Sequence, residues 1–328
     1  MTQPKDDKWV AVLCLVGAML GYGCVPVFLR FFIQTEKMDF WSVNAARYSV
    51  AAIFWSPAVF LLLKRQRESG VPAGRSVWRD ALVPTAVNLF GQATYGAAPA
   101  FVSAPTIGFV IRLSFLFAVL FGFLFIAEER LLAARPAFLV GAALSLAGVV
   151  AMFLGQLRAE GTGSVAGLAI LLASTIGWGA YAVSVRKWMA PYPVRLGFGV
   201  ISLYTSGGLI LLALAFGRPG TLAPLSGGMW LVLILSGLIG VTFAHVMYYR
   251  GIHRLGPVVA SGMLMATPFV TYTGAALALG ETMAPAQLAG GITVVAGGVL
   301  LVVAKGQVER KLHQPGELDK PRPGSTLA

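Results

Sequence analysis

Apolar residues fill this chain in runs of about twenty, a length that crosses a bilayer as a helix. Short polar segments rich in Lys, Arg, Pro and Gly separate the runs. The pattern predicts spans at 9–33, 40–63, 80–101, 106–127, 136–155, 164–185, 196–217, 229–249, 259–279 and 285–304. No segment sustains the alternation of a membrane strand, which argues against a β-barrel. Trp9, Trp41 and Trp230 stand at span ends, where amphipathic rings anchor at the interface. The first run extends to Ile33, too long for a signal-peptide core, and reads as mature structure. Residues 64–79 form the longest internal loop, and residues 305–328, with Pro315, Pro321 and Pro323, read as a flexible cytoplasmic tail.

The order of punctuation along the spans repeats. Pro105, Phe117, Gly122 and Glu129 return 152 residues later as Pro257, Phe269, Gly274 and Glu281. Pro136, Gly141 and Gly148 return 149 residues later as Pro285, Gly290 and Gly297. Gly21, Gly23 and Arg30 return 156 residues later as Gly177, Gly179 and Arg186. Three blocks in one order mark a duplicated half, with residues 1–8 as an N-terminal tail, 9–155 as one repeat and 156–304 as the other.

Charge orients the spans. With the N-terminus inside, inner loops and tails carry 19 Lys and Arg and outer loops carry 3, namely Lys37, Arg158 and Arg218. The positive-inside rule then places both termini in the cytoplasm, in a plasma or inner membrane. Five spans is an odd number, so the second half enters upside down relative to the first. Loop charge agrees: Arg130 and Arg135 follow Glu129, whereas no basic residue follows Glu281 before the next span. The predicted fold is an all-α polytopic membrane protein with ten transmembrane helices as two inverted five-helix repeats.

Composition confirms the class, with 57% hydrophobic and 12% charged residues against roughly 25% charged in soluble domains. The net charge of +12 sits in short loops between spans, where the positive-inside rule places it, so it argues against nucleic acid and leaves a small-molecule metabolite and membrane lipids as the expected partners. Cys14 and Cys24, ten residues apart on one helix, are separated by about 15 Å and form no disulfide. No metal cluster, cofactor motif or Walker sequence is evident.

Trp178-Gly179 with Arg186-Lys187, Leu255-Gly256-Pro257, Pro268 and Gly280-Glu281 resemble the drug/metabolite transporter superfamily, specifically its EamA type. The resemblance extends over about residues 9–304 and implies ten helices, two inverted repeats and a central cavity lined mainly by helices 1, 3, 4, 6, 8 and 9. The first half departs from the pattern: Tyr22 stands for the usual Trp, and Leu116 holds the place of Pro268.

Candidate chemistry concentrates in a few polar positions. Arg112 lies about six residues, or 9 Å, inside the outer boundary of its span. Either it snorkels to headgroups or bonds backbone carbonyls, or it faces the cavity and binds an anionic group with its planar fork. Arg30 and Arg47 approach the outer side, where they pair with Glu36 or Asp39 or line an anion-attracting vestibule. Pro268 cannot bond the Leu264 carbonyl, and Leu264 is the repeat mate of Arg112. Inversion predicts that these mates lie roughly 12–16 Å apart along the membrane normal.

Asn88, Gln92 and Tyr95 share a helix face at i, i+4, i+7, as cavity lining or interhelical glue. Tyr22, Trp178 and Tyr181 are candidate aromatic walls, and His245, Tyr248, Thr267 and Thr271 candidate polar lining. All thirteen Asp and Glu lie in tails, loops or span ends, leaving His245 as the conventional titrating group within the membrane. The glycines at 141, 148, 290 and 297 predict a close-packing face.

The function these features support is secondary transport, by export or exchange, of a small polar or anionic organic metabolite by a monomer or weak homodimer. Lipid flipping or a scaffold role is the alternative. An intramembrane enzyme would need a nucleophile–base pair that the chain does not offer.

Overall fold

The computed structural model describes residues 5–68, 76–125, 127–160, 164–255 and 257–312. Among them every regular element is helical. The helices are α1 (Lys5–Arg30), α2 (Phe40–Glu68), α3 (Val77–Asp80), α4 (Leu82–Ala97), α5 (Ala104–Val110), α6 (Ser114–Phe125) and α7 (Pro136–Glu160). They continue as α8 (Ser164–Trp188), α9 (Val194–Phe216), α10 (Gly227–Gly237), α11 (Ala244–Leu255), α12 (Pro257–Leu264), α13 (Thr267–Leu279) and α14 (Pro285–Leu312). Among the described residues, eight helical stretches are long and apolar enough to cross a membrane: Trp9–Thr35, Phe40–Lys64, Ala104–Phe125, Val165–Trp188, Arg195–Phe216, Gly227–Gly251, Ala260–Leu279 and Pro285–Val308. The sequence-predicted spans 80–101 and 136–155 correspond to α4 and α7.

Local chemistry sets the ends. Pro136, Pro257 and Pro285 open α7, α12 and α14, where a missing N–H costs nothing. The Asp39 carboxylate accepts the Ser42 N–H at 2.9 Å, capping α2. Gly280, at φ +67°, ends α13 in the left-handed conformation that a side chain would strain. The last helix differs from expectation, continuing to Leu312. No proline falls between Pro285 and Leu312 to interrupt it. Residues 313–328, the rest of the expected tail, lie outside the described residues.

In the most apolar 18-residue window of each stretch only 33% to 50% of the residues are buried, and large side chains such as Leu13, Ile53, Phe60, Leu211, Phe216 and Leu277 face outward. An apolar exterior of this extent belongs in a bilayer. The broadest interhelical contact joins α7 to α14. A Cβ on Gly141 would stand 2.8 Å from the Gly297 carbonyl, and one on Gly148 would stand 2.6 Å from the Gly290 carbonyl. The predicted glycine face is this seam, where two backbones meet without side chains between them. Further contacts join α2 to α9, α4 to α8, α1 to α11 and α1 to α13.

Candidate functional site

Two of the membrane stretches are broken, and the breaks meet. Between α5 and α6 the chain tightens into a 3₁₀ turn at Ile111–Leu113. Between α12 and α13 it turns at Met265 and Ala266. Pro268 forces the second break: it lacks an N–H, and its ring excludes the carbonyl four residues earlier. That carbonyl belongs to Leu264, and Arg112 Nη1 donates to it at 3.2 Å.

This overturns the expected 12–16 Å separation of Arg112 and Leu264. The first stretch starts at Ala104, two residues earlier than predicted, which sinks Arg112 by about 3 Å. The half-helices also cross: Phe109 and Phe269 meet edge to face at 5.6 Å, and Gly108 backs onto Thr271. A long arginine side chain then spans the remaining distance. Of the open alternatives for Arg112, carbonyl bonding is realised, but incompletely. Its Nε is buried without a partner.

Aromatic side chains gather beside this crossing. Tyr22, Tyr95 and Tyr248 are electrostatic neighbours of the Arg112 guanidinium. The Tyr22 ring meets His245 at 5.0 Å and Tyr248 at 6.1 Å. Tyr248 and Ser261 bring their hydroxyl oxygens to 3.5 Å. Trp178 links Tyr95, at 6.5 Å, to Tyr181, at 5.7 Å. The sequence-predicted aromatic candidates therefore converge from α1, α4, α8 and α11. Phe198 stacks on His245 at 4.6 Å, and Tyr48 is an electrostatic neighbour of Tyr22 and Tyr181. Sequence reasoning missed both, because a lone ring in an apolar span carries no signal that separates lining from packing.

The polar candidates divide. Asn88 donates to Thr205 Oγ1 at 2.9 Å, which makes it a bond between α4 and α9. Gln92 is buried, and its backbone carbonyl accepts Asn44 Nδ2 at 2.8 Å. Thr271 Oγ1 donates to the Gly23 carbonyl at 2.8 Å, tying α13 to α1. By contrast, Trp178 Nε1 and Thr267 Oγ1 join Arg112 Nε among the buried polar atoms without partners, a set that also includes Trp55 Nε1 and Ser42 Oγ, while His245 bonds the Val241 backbone. Buried polar groups in native proteins are nearly always paired, so Arg112 Nε, Trp178 Nε1 and Thr267 Oγ1 are chemically unfinished.

The outer arginines do not take the partners expected of them. Arg30 forms an ion pair with Glu281. Arg47 is 1% exposed and donates to Ser236 Oγ at 3.0 Å and to the Ser236 carbonyl at 3.4 Å. It lines no vestibule in this structure. Asp39 is unavailable to it because that carboxylate caps α2 and also accepts the Arg218 N–H at 3.1 Å, while Arg47 sits about 12 Å further along the helix. Among the described residues, no three His, Cys, Asp or Glu side chains come together as a metal site.

Residues 165–303 match the family model of the EamA-like transporters, part of the drug/metabolite transporter superfamily. The second half of the chain is EamA-like. Its α8, α11, α12 and α13 carry Trp178, Tyr181, His245, Tyr248, Leu264, Thr267 and Pro268, so the EamA-like half supplies most of the unfinished group. A solved crystal structure, 21% identical, has a TM-score of 0.61 and covers 93% of this chain and 99% of its own. At that identity the likeness concerns the fold alone. No curated protein matches the chain in sequence.

Proposed function

We propose that this protein is a secondary transporter of a small polar organic solute carrying an anionic group, working as an exporter or exchanger. In this reading ten spans form two inverted repeats of five, both termini are cytoplasmic, and the halves rock about a pseudo-two-fold axis in the membrane plane. Three contacts support the axis. Gly141 meets Gly297, Gly148 meets Gly290, and Arg112 bonds Leu264. Exchanging each residue for its repeat mate turns the first pair into the second and maps the third onto itself, as isologous contacts do.

The observation that carries the substrate class is the half-satisfied Arg112. A half-buried guanidinium without a carboxylate is costly within a membrane span, and all thirteen acids of the chain lie outside the span interiors. An entering anion supplies the missing charge through charge-assisted hydrogen bonds. The Tyr22, Trp178, Tyr181 and Tyr248 rings then border the organic body. A substrate on the axis is equidistant from both faces, which suits alternating access.

Proteoliposome flux with a panel of small organic anions, zwitterions and neutral solutes tests the reading. Anions should move, and Arg112→Gln should abolish the preference. Flux of neutral solutes alone, unaffected by Arg112→Gln, would sink it.

A further inference from the structure

Two threonines stand one turn apart on the same face of α13, and the fold uses them differently. Thr267 and Thr271 are four residues apart, a spacing that stacks side chains along one side of a helix. Both are buried, at 2% and 0% exposure. Thr271 Oγ1 donates to the Gly23 carbonyl, whereas Thr267 Oγ1 has no partner. A helical threonine commonly bonds a carbonyl one turn back. For Thr267 those carbonyls belong to Met263 and Leu264, which already accept the Ala266 N–H and Arg112 Nη1. The break before Pro268 thus leaves the hydroxyl outside the helical ladder.

The crossing decides what that hydroxyl stands beside. Gly108 backs onto Thr271, Phe109 meets Phe269, and Arg112 reaches Leu264. Residues rising along the first broken stretch therefore meet residues falling along the second, which sets Thr267 opposite the segment between Phe109 and Arg112. Thr267 is the first residue of α13, and Cα–Cβ bonds tilt toward a helix N-terminus. Its side chain leans back toward the turn where the Arg112 guanidinium ends. The start of α13 has no side-chain cap and carries the partial positive charge of a helix N-terminus. Two buried donors without acceptors, Arg112 Nε and Thr267 Oγ1, converge there. All three features call for negatively charged oxygen.

We propose that Thr267 is the second anchor of the transported anion, and that the anchored group is a carboxylate. One carboxylate oxygen accepts from Arg112 Nε and the other from Thr267 Oγ1, at the N-terminus of α13. Tyr22, an electrostatic neighbour of Arg112 next in sequence to Gly23, borders the substituent. This inference rests on the anion-transport reading and narrows it, naming the group that is gripped and the residue that completes the grip. A neutral amide of the same shape turns an NH₂ toward a donor and is rejected, because that donor stays unpaired.

Thermal unfolding of the full chain in detergent, titrated with sodium acetate, tests the assignment, with acetamide and sodium chloride as matched controls. Acetate should raise the melting temperature of the parent, and neither control should. Arg112→Gln should abolish the response. Thr267→Val should move the acetate midpoint up at least about tenfold. Its melting temperature without acetate should hold or rise, because a buried hydroxyl without a partner has gone. Thr267→Ser keeps the hydroxyl and should keep the parent's midpoint. A structural hydroxyl behaves in the opposite way: Thr267→Val would lower the melting temperature without acetate, as Thr271→Val is expected to. That result, or an unchanged acetate midpoint, overturns the role of Thr267. Should valine prevent folding, the acetate midpoint of Thr267→Ala decides. A parent that ignores acetate overturns the carboxylate assignment. An acetate response that survives Arg112→Gln sinks the anion reading beneath it, whereas one that needs Arg112 and ignores Thr267→Val removes Thr267 alone.

Discussion

The α7–α14 seam and the crossing of the broken helices both join the two halves, and they do so by opposite means. At the seam, glycine backbones touch glycine backbones at 141, 148, 290 and 297. At the crossing, a guanidinium reaches a carbonyl released by proline, and its own Nε is left unpaired. A seam in which backbones approach this closely has one way to pack and tolerates no added atom at the glycines. A crossing with unsatisfied groups is incomplete until something enters. The first behaves as scaffold and the second as site.

The largest expected effect breaks the scaffold. Gly148→Leu drives a side chain into the Gly290 backbone, and overpacking of this kind costs about 1–3 kcal/mol or more. Loss of a monodisperse, thermally stable protein in detergent is the expected result; an unshifted melting temperature would remove the seam from that role. Next comes the site. Arg112→Gln should lower anion flux by roughly one to two orders of magnitude, from charge-assisted bonds worth about 1.5–3 kcal/mol. Its melting temperature should hold or rise, because a half-buried charge without a carboxylate has gone. Arg158→Gln, in a loop, should leave flux near the parent, and equal losses in the two variants would take Arg112 out of the site.

A smaller effect separates glue from lining. Thr271→Val removes the bond to Gly23 and should cost about 1 kcal/mol of stability, with flux changed less than twofold. A flux loss matching that of Arg112→Gln would move Thr271 into the substrate path. The smallest perturbation concerns orientation alone. Thr282→Cys, exposed after Glu281, should react with external impermeant reagent, and Ala134→Cys, exposed after Glu129, should not. Reversed labelling would invert the topology and leave the contrast between seam and crossing intact.

Much of this was legible in the sequence, and the illegible parts have specific causes. Hydropathy placed the eight long apolar stretches within a few residues, because crossing a bilayer fixes both length and composition. The i, i+4, i+7 spacing put Asn88, Gln92 and Tyr95 on one buried face. It did not reveal that Asn88 would reach Thr205, since a helix face does not name its neighbour. The depth of Arg112 was misjudged because linear position measures distance along one helix, whereas contact depends on where two helices cross. Proximity in sequence points Arg30 to Glu36 or Asp39, yet its partner Glu281 lies 251 residues away. The repeat flagged Glu281 without saying what its carboxylate would meet.

The bond from Arg112 to Leu264 has a further consequence. A residue joined to its own duplicate lies on the line about which the proposed halves exchange, so the same ground serves both copies. Two guanidinium groups there would repel, and two bare carbonyls would leave each other unanswered. Descent from a symmetric ancestor must therefore end in divergence at this spot, one copy becoming donor and the other acceptor. In that sense the geometry of duplication enforces chemical polarity at the centre and gives the site a built-in head and tail.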